Sequence, residues 1–477
     1  MNFKKAIPYV GALAAFAAAA VVASSASADD EEISWKPCGG ESDAECATFA
    51  VPRDWSDPDE QTVDLSLARL PASDGEAESG VLFYNPGGPG GSAAASVRDW
   101  PDNAFSKRLR ESFDIVGVDP RGVGGSEQIQ CELPVHDPDV AQFPRTQDEY
   151  DALVAHNRAV ADSCDDLFAY VDTASVARDH DSVRDALGVE TVSFFGLSYG
   201  SMLGTEYAEL FPHRIRAMAL DGVVDRSMSS PDLVIDAAAA VEGAFGAFVD
   251  WCDAEAECAL HGQDVEETWD ALVERAAEDP IDVPDGEPLT SEQLRYTVYA
   301  ALNVIPEQAP TLAEAISEAD AGDATTLAEI RAEALENPGV NAPYRSVLCL
   351  DVDPQLDNFD DLQQRMDAVE EIAPHMRGTS EFWDMTVGCL GWPVAPTNPQ
   401  HPIDVVDAPP ILLVGTAGDP ATPPHWAESL SESIQDSRVL THDGLGHTAY
   451  LRSECATENI DRYLVTLELP EEGTVCS

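Results

Sequence analysis

A serine stands between two glycines where an apolar run ends, in the stretch VSFFGLSYGSMLG from Val192 to Gly204. The Gly-x-Ser-x-Gly pattern is short enough to arise by chance, so the flanking residues decide whether it marks a nucleophile. Apolar residues precede Ser198 and helix-forming residues follow it, which predicts the sharp strand–turn–helix that exposes a nucleophilic serine. A serine hydroxyl is a weak nucleophile near neutral pH, and it therefore needs a base, an orienting carboxylate and an oxyanion hole.

Two later stretches supply the predicted carboxylate and base. Asp419 follows the buried run PPILLVG, and His447 stands in the turn GLGHTAY beyond the strand SRVLTHDG, whereas His442 ends that strand. The chain order serine, aspartate, histidine is the order that this kind of turn predicts. Thr422 is expected to hydrogen-bond the Asp419 loop or its carboxylate, and it is a tentative substrate-side residue.

The glycine-rich stretch YNPGGPGGS, from Tyr84 to Ser92, is the predicted oxyanion loop. It follows a strand, so its glycines can bring backbone N–H groups close to a substrate. We expect the N–H groups of Gly88 and Tyr199 to form the oxyanion hole. A plain Gly/Pro turn is the alternative, and the position upstream of the serine turn argues against it.

Alternating strand and helix patterns predict the fold class. Strands are expected in TVDLSLARL (Thr62 to Leu70), GVLFYNP, FDIVGVDPRG and RIRAMALDG. A helix is expected from Thr173, as a possible cap, to Gly188, and another from about Tyr199 to Leu210. This alternation predicts an α/β protein with a mostly parallel sheet and helices on both faces.

The alternation stops between about Asp225 and Gln400, where the sequence is rich in Ala, Glu and Asp and mainly helical. A helical block between strands of one sheet predicts a cap over the carboxyl edge, where α/β proteins carry their sites. We therefore divide the chain into a signal peptide (1–28), an N-terminal extension (29–50), a first core part (51–225), a mainly helical cap (226–400) and a C-terminal core part (401–477).

At these residues the sequence resembles the secreted α/β-hydrolase aminopeptidases of actinobacteria, tripeptidyl aminopeptidases related to proline iminopeptidases. The matching stretches span Cys46 to His447 and are NPGGPGGS, FDIVGVDPRGVGGSE, DHDSVRDALG, GLSYGSMLG, VLCLDVDP, CLGWP, GTAGDPATP and GLGHTAY. The resemblance implies an α/β-hydrolase fold, a cap, a characteristic C-terminal region of about 70 residues, and hydrolysis of peptides from a free N-terminus through an acyl-enzyme. Proline iminopeptidases proper carry His-Gly-Gly-Pro-Gly and a tryptophan after the nucleophile. Pro86 and Tyr199 stand at those places, which argues against strict single-proline release.

An exopeptidase must also recognise an ammonium group, which a shielded carboxylate does best. Asp351 and Glu206 are the residues predicted for this role. A carboxylesterase or lipase with the same triad is the first alternative, although its cap is expected to be apolar and this one is acidic. A catalytically inactive binding protein on a hydrolase scaffold is the second, although such proteins usually lose a triad member.

The balance of charged residues limits the classes of molecule that the protein can bind. The 477 residues include 26 basic and 88 acidic ones, a net charge of −62. Nucleic acids and anionic membranes are therefore poor partners, and we expect a solvated acidic surface suited to salt-rich surroundings. No Cys-x-x-Cys or His-Glu-x-x-His spacing occurs, so neither a metal nor another cofactor is expected. We expect peptide substrates and a monomeric protein.

Export is predicted by the first 28 residues. Lys4 and Lys5 precede an uncharged run, and small residues at 26–28 supply a cleavage site, which together indicate a signal peptide and a secreted protein. An even number of cysteines in an exported chain indicates disulfides. They fall into neighbouring twos, and the sequential scheme would pair Cys38 with Cys46, Cys131 with Cys164, Cys252 with Cys258, Cys349 with Cys389, and Cys455 with Cys476.

Overall fold

Apolar runs of the sequence form one sheet in the computed structural model, which describes residues 33–40, 42–284, 286–336 and 342–477. Ile33–Ser477 constitute one unit. The strands are β1 (Lys36–Pro37), β2 (Glu45–Pro52), β3 (Thr62–Leu70), β4 (Val81–Asn85), β5 (Asp114–Val118), β6 (Val192–Leu197), β7 (Ile215–Asp221), β8 (Ile411–Gly418), β9 (Ser437–Leu445) and β10 (Val475–Cys476). The predicted signal peptide lies outside the described residues.

The sheet is antiparallel at one side and parallel over the rest. Its strand order is β1-β2-β3-β5-β4-β6-β7-β8-β9-β10. Strands β1, β2, β3 and β5 pair antiparallel in succession, and all pairs from β5 through β4 to β10 are parallel. The loops after β4, β6, β7, β8 and β9 therefore leave the same edge of the sheet, and each predicted site residue near Ser198 lies on one of them.

The helices are α1 (Ala93–Asp99), α2 (Pro101–Ala104), α3 (Lys107–Ser112), α4 (Gln147–Asp162), α5 (Thr173–Ala186), α6 (Tyr199–Leu210), α7 (Ser230–Ala254), α8 (Val265–Glu278), α9 (Ser291–Leu302), α10 (Ala309–Asp320), α11 (Thr325–Glu336), α12 (Ala342–Asp351), α13 (Phe359–Ile372), α14 (Glu381–Gly388), α15 (Pro424–Glu432) and α16 (Glu454–Thr466). None of those in the described chain is long and apolar enough to cross a membrane.

Helices cover both faces of the sheet, as β6 illustrates. Successive side chains of a strand point to opposite faces, so Phe194 and Phe195 enter different cores. Phe194 packs in a cluster that includes Val183 of α5 and Leu203 of α6. Phe195 packs in a second cluster with residues of α1, α3 and α16, such as Ile460. The predicted α/β-hydrolase architecture, with a mostly parallel sheet between helical layers, is confirmed.

The helices α7 to α14 lie in the chain between β7 and β8. Residues of α7 to α11 enclose a hydrophobic cluster of their own, with Trp269 fully buried in it. This is the region predicted as a cap, and its limits at 226 and 400 stay a prediction. The core boundary predicted at 51 is wrong, because β2 begins at Glu45 and pairs with β3 along its whole length.

The predicted cap of α5 also needs correction. Asp172 rather than Thr173 precedes the helix, and its carboxylate accepts the N–H of Ser175 at 2.9 Å. An aspartate satisfies one of the free N–H groups of the first turn as well as a threonine does. Thr173 is then the first helical residue, and its hydroxyl contacts Asp351.

Five disulfides join the ten cysteines in sequential order, as Cys38–Cys46, Cys131–Cys164, Cys252–Cys258, Cys349–Cys389 and Cys455–Cys476. Two of them make a matched pair for measurement. Their sulfur atoms are buried to a similar degree, but the bonds close loops of 6 residues (Cys252–Cys258) and 40 residues (Cys349–Cys389).

Removal of the longer disulfide is expected to destabilise the protein more. In the loop-closure model a loop of 40 residues contributes about 4 kcal/mol and one of six residues about 2 kcal/mol. The double variant Cys349→Ala/Cys389→Ala should therefore lose about 2 kcal/mol more unfolding free energy than Cys252→Ala/Cys258→Ala, as measured by urea unfolding. Equal losses, or a larger loss for the short loop, would contradict the entropic account of these bonds.

Candidate active site

Ser198 occupies a strained turn between β6 and α6. Its backbone has φ 55° and ψ −122°, a region that residues with side chains rarely adopt. The N–H of Ser198 donates to the backbone oxygen of Asp221 at 2.9 Å, which holds the turn. A Cβ at Gly196 would overlap the oxygen of Gly200, and one at Gly200 would lie 2.6 Å from the oxygen of Asn85. The two glycines of the motif are therefore required by close backbone packing around the serine.

The glycine-rich loop after β4 lies directly against this turn. A Cβ at Gly87 would lie 2.8 Å from Cβ of Ser198. Asn85 accepts the N–H of Gly87 through Oδ1 at 2.9 Å. Within the described part of the chain, the N–H groups of Gly88 and Tyr199 are used in no hydrogen bond. Both predicted oxyanion donors are thus unoccupied in this part of the chain, and Gly88 lines the same cavity as Ser198.

His447, which is half-buried, and the buried Asp419 meet in a hydrogen bond. The Nδ1 atom of His447 lies 2.9 Å from both carboxylate oxygens of Asp419. Asp419 also accepts the N–H groups of Ala421 and Thr422 at 2.9 Å and the Thr422 hydroxyl at 2.8 Å. Thr422 therefore orients the carboxylate, one of the two contacts predicted for it. Its hydroxyl points to Asp419, so its tentative role as a substrate contact is not supported.

The electrostatics of this pair suit a general base. Burial opposes the charged form of each group, but the opposite charge and the hydrogen bonds outweigh burial. The pKa of Asp419 consequently lies below its usual value, and the pKa of His447 lies above its usual value. A neutral His447 with Nδ1–H directed at Asp419 presents Nε2 as an acceptor, the arrangement that deprotonates a serine hydroxyl.

Ser198 and His447 line one cavity of about 510 Å³. The glycine-rich loop forms one wall, and helices α9, α11 and α14 contribute the side that faces the sheet edge. The lining includes three carboxylates from the helical region, Glu292, Glu381 and Asp384, together with the aromatic rings of Tyr296, Tyr299 and Tyr344.

Glu381, the first residue of α14, is the cavity acid whose charge acts on His447. Burial raises the pKa of Glu381, although the charge of His447 and hydrogen bonds from Tyr344 and Tyr299 partly offset it. The Tyr299 hydroxyl donates to Glu381 at 3.2 Å. The other two acids have protein partners: Asp384 binds Arg345 at 3.0 Å, and Glu292 accepts two backbone N–H groups. Sequence reasoning missed Glu381, since one acid among 88 gives no local signal.

Asp351 and Glu206, the predicted amine ligands, lie elsewhere. Both are buried and neither lines the cavity that holds Ser198. Asp351 accepts the N–H of Thr173 at 3.1 Å and an amide N–H of Asn398 at 3.0 Å. Glu206 is paired with Arg226. Both acids are thus bound to protein groups outside the cavity, and the prediction that they bind a substrate amine is corrected.

Among the described residues, one group offers ligand atoms close enough for a metal. Glu206, Glu209 and His401 bring oxygen and nitrogen atoms within 4.8 Å of one another. The guanidinium of Arg226 already binds Glu206, and its positive charge opposes a cation there. We assign no metal to this cluster.

Comparisons with known proteins find relatives along most of the chain. Residues 376–476 match the family model described as TAP-like protein. The chain is 30% identical to the serine protease Hip1 of Mycobacterium tuberculosis, over 94% of this chain and 91% of that protein. It is 29% identical to tripeptidyl aminopeptidase of Streptomyces lividans, over 93% and 86%. Carboxylesterase B of M. tuberculosis is 30% identical, over 91% and 86%.

Among solved structures, proline iminopeptidase of Mycobacterium smegmatis is 16% identical, with a TM-score of 0.35 over 87% of this chain and 97% of that chain. The sheet, its helices and the sequence relatives define a serine hydrolase of the α/β-hydrolase fold. Within that class, the chain belongs to the actinobacterial family that includes the serine protease Hip1 and tripeptidyl aminopeptidase.

Proposed function

We propose that the protein is an exported serine exopeptidase that releases short peptides, tripeptides foremost, or single residues from free N-termini. Ser198 attacks the scissile carbonyl while His447 takes its proton and Asp419 orients the imidazole. The N–H groups of Gly88 and Tyr199 stabilise the oxyanion. The resulting acyl-enzyme is hydrolysed by a water that His447 activates in the same way.

The observation that carries the proposal is Glu381, a half-buried carboxylate in the same cavity as the nucleophile. A substrate ammonium that reaches Glu381 would form a charge-assisted hydrogen bond shielded from solvent. Its positive charge would also favour the ionised carboxylate that burial disfavours. The cavity of about 510 Å³ lies within the range of ligand pockets, about 300–1,000 Å³. Such a volume suits a short N-terminal segment, in line with the tripeptidyl aminopeptidase relative.

Export is part of the proposal because five disulfides require an oxidising environment to form and persist. The predicted signal peptide supports it from the sequence. Mass spectrometry of the extracellular protein should find a mature N-terminus near Asp29.

Loss of the substrate amine or of the Glu381 charge should reduce activity by a similar factor. A hydrogen bond to a charged group contributes about 1.5–3 kcal/mol, which corresponds to about 10- to 150-fold in kcat/KM. Glu381→Gln should lower kcat/KM by that factor for tripeptidyl anilides with a free amine, and N-acetylation should have little further effect in this variant. A panel of one-, two- and three-residue anilides with acetylated controls measures both.

Glu292→Gln is the matched control for that experiment. It removes a carboxylate charge from the same cavity, but that carboxylate accepts the N–H groups of Gln142 and Phe143 at 2.9 and 3.1 Å. Its effect should be the same on free and acetylated substrates. If the unmodified enzyme cleaved both substrates at equal rates, an endopeptidase or esterase would replace the exopeptidase proposal.

A carboxylesterase with the same triad is the second candidate, and the relative named carboxylesterase B favours it. The two activities separate in a comparison of p-nitrophenyl esters with aminoacyl anilides. An esterase would hydrolyse simple acyl esters far faster than any anilide with a free amine. The acidic cavity wall favours the peptidase, since an acyl chain gains nothing from Glu381.

A further inference from the structure

The last residue of β7, Asp221, contacts two of the loops that build the site. It is fully buried. Its backbone oxygen accepts the N–H of Ser198 at 2.9 Å. Its carboxylate accepts the N–H of Ala449 at 2.9 and 3.1 Å and the N–H of Tyr450 at 2.8 Å. One residue therefore joins the nucleophile turn to the segment that follows His447.

The histidine loop is held by two aspartates in succession. Thr448 donates its N–H to Asp419 at 3.3 Å, and the next two N–H groups go to Asp221. The loop also lies close to the end of β7, because a Cβ at Gly222 would lie 3.1 Å from Cε1 of His447. A shift of Asp221 would consequently displace the imidazole relative to Ser198.

The carboxylate of Asp221 is also one of the charges around the imidazole. Its negative charge helps to raise the pKa of His447, after Asp419 and Glu381. Burial raises the pKa of Asp221 itself to about 6, although the loop N–H groups and the charge of His447 favour its ionised form. The other titratable groups that face it are Asp419 and the buried Tyr84 hydroxyl.

We propose that Asp221 is a positioning residue of the triad, which fixes the nucleophile turn and the histidine loop to one point and supplies a further anion near the imidazolium. This inference rests on the proposed roles of Ser198 and His447. It assigns Asp221 no contact with substrate. Its effect is on where the base lies and on how readily the base is protonated.

Asp221→Asn tests the proposal because the amide keeps an oxygen for the loop N–H groups and removes the charge. We expect kcat to fall by about 10²-fold, the size of effect that a misplaced catalytic group causes, with little change in KM. Loss of the anion lowers the pKa of His447, so the acid limb of the kcat/KM profile should move to lower pH. A residue with a merely structural role would lower the melting temperature without moving that limb.

Asp461→Asn is the matched control. Asp461 is a buried acid that also binds Tyr450, the residue whose N–H donates to Asp221. It accepts the Tyr450 hydroxyl at 2.9 Å and the Ser106 hydroxyl at 2.6 Å. It is not among the charges that act on His447. This variant should lose stability and keep the wild-type acid limb. An unchanged limb and kcat in Asp221→Asn would overturn the proposal.

If Asp221→Asn fails to fold, a measurement on the unmodified enzyme tests the proposal instead. Labelling of Ser198 by a neutral phosphonofluoridate requires a neutral His447 and, under the proposal, an ionised Asp221. The reagent has no amine, so no ion pair with Glu381 contributes to its binding, and Asp419 stays ionised because its pKa is below its usual value. Below about pH 6 the logarithm of the labelling rate should fall with a slope greater than one against pH, because more than one group is protonated. A slope of one down to pH 5 would overturn the inference. Absence of any labelling at Ser198 would instead refute the proposed function.

Discussion

Replacing Ser198 with alanine is expected to lower kcat by about 10⁴- to 10⁶-fold while the fold stays intact. The substitution removes the nucleophile but keeps a Cβ, so the strain at φ 55° is the same in both proteins. Gly196, Gly200 and Gly87, whose backbones pack around the turn, are unchanged. The remaining rate would come from substrate binding and the oxyanion donors.

Hydrolysis of tripeptidyl anilides, together with mass spectrometry after phosphonofluoridate labelling, measures this loss. Ser193→Ala is the control, since Ser193 lies in β6, the strand before the Ser198 turn, and within the described residues its hydroxyl accepts only from Arg216, at 3.2 Å. It should label and turn over normally. His447→Ala should be nearly as severe as Ser198→Ala, whereas Asp419→Asn should retain more activity, because triad members act as a unit. Wild-type-like turnover in Ser198→Ala would end the triad proposal.

The parts of the fold that sequence analysis predicted are those with local signals. The runs that form β3, β4, β7 and β8 were recognisable from their apolar pattern, and α6 begins and ends at the expected residues, Tyr199 and Leu210. Parallel pairing then places the ends of β6, β8 and β9 at one edge. The proximity of Asp419 to His447 follows from that topology, so it needed only chain order to be predicted.

The parts that were missed depend on contacts between distant segments. Asp351 was predicted to bind the substrate amine, but Thr173 and Asn398, 178 and 47 residues away, donate hydrogen bonds to its carboxylate. Glu206 lies on the predicted helix, but Arg226 neutralises it from the next loop. Glu381 lines the same cavity as His447 because helix α14 begins there, and no spacing in the sequence encodes that approach.

The excess of acidic residues affects stability because few basic residues remain to neutralise the surface. Several of the few basic side chains form ion pairs with buried acids, as in Arg121–Asp179, Arg226–Glu206 and Arg345–Asp384. They are therefore not available to neutralise the surface. Cleavage of the predicted signal peptide removes Lys4 and Lys5 and no acid, which changes the net charge from 26 − 88 = −62 to 24 − 88 = −64. Self-repulsion at such a charge opposes the compact state.

Both the melting temperature and the activity are expected to rise steeply from dilute buffer to molar NaCl at neutral pH. The Debye length falls from about 30 Å at 0.01 M to about 3 Å at 1 M, so salt at the upper end screens most of the repulsion between surface carboxylates. Calorimetry and anilide hydrolysis across that series measure the two effects. The same series near pH 4.5 is the control, because many carboxylates with a pKa of about 4 are then protonated and the salt dependence should shrink. Stability that stays flat or falls with salt at neutral pH would show that the acids are already offset, by bound cations for example, and that the surface is not adapted to salt.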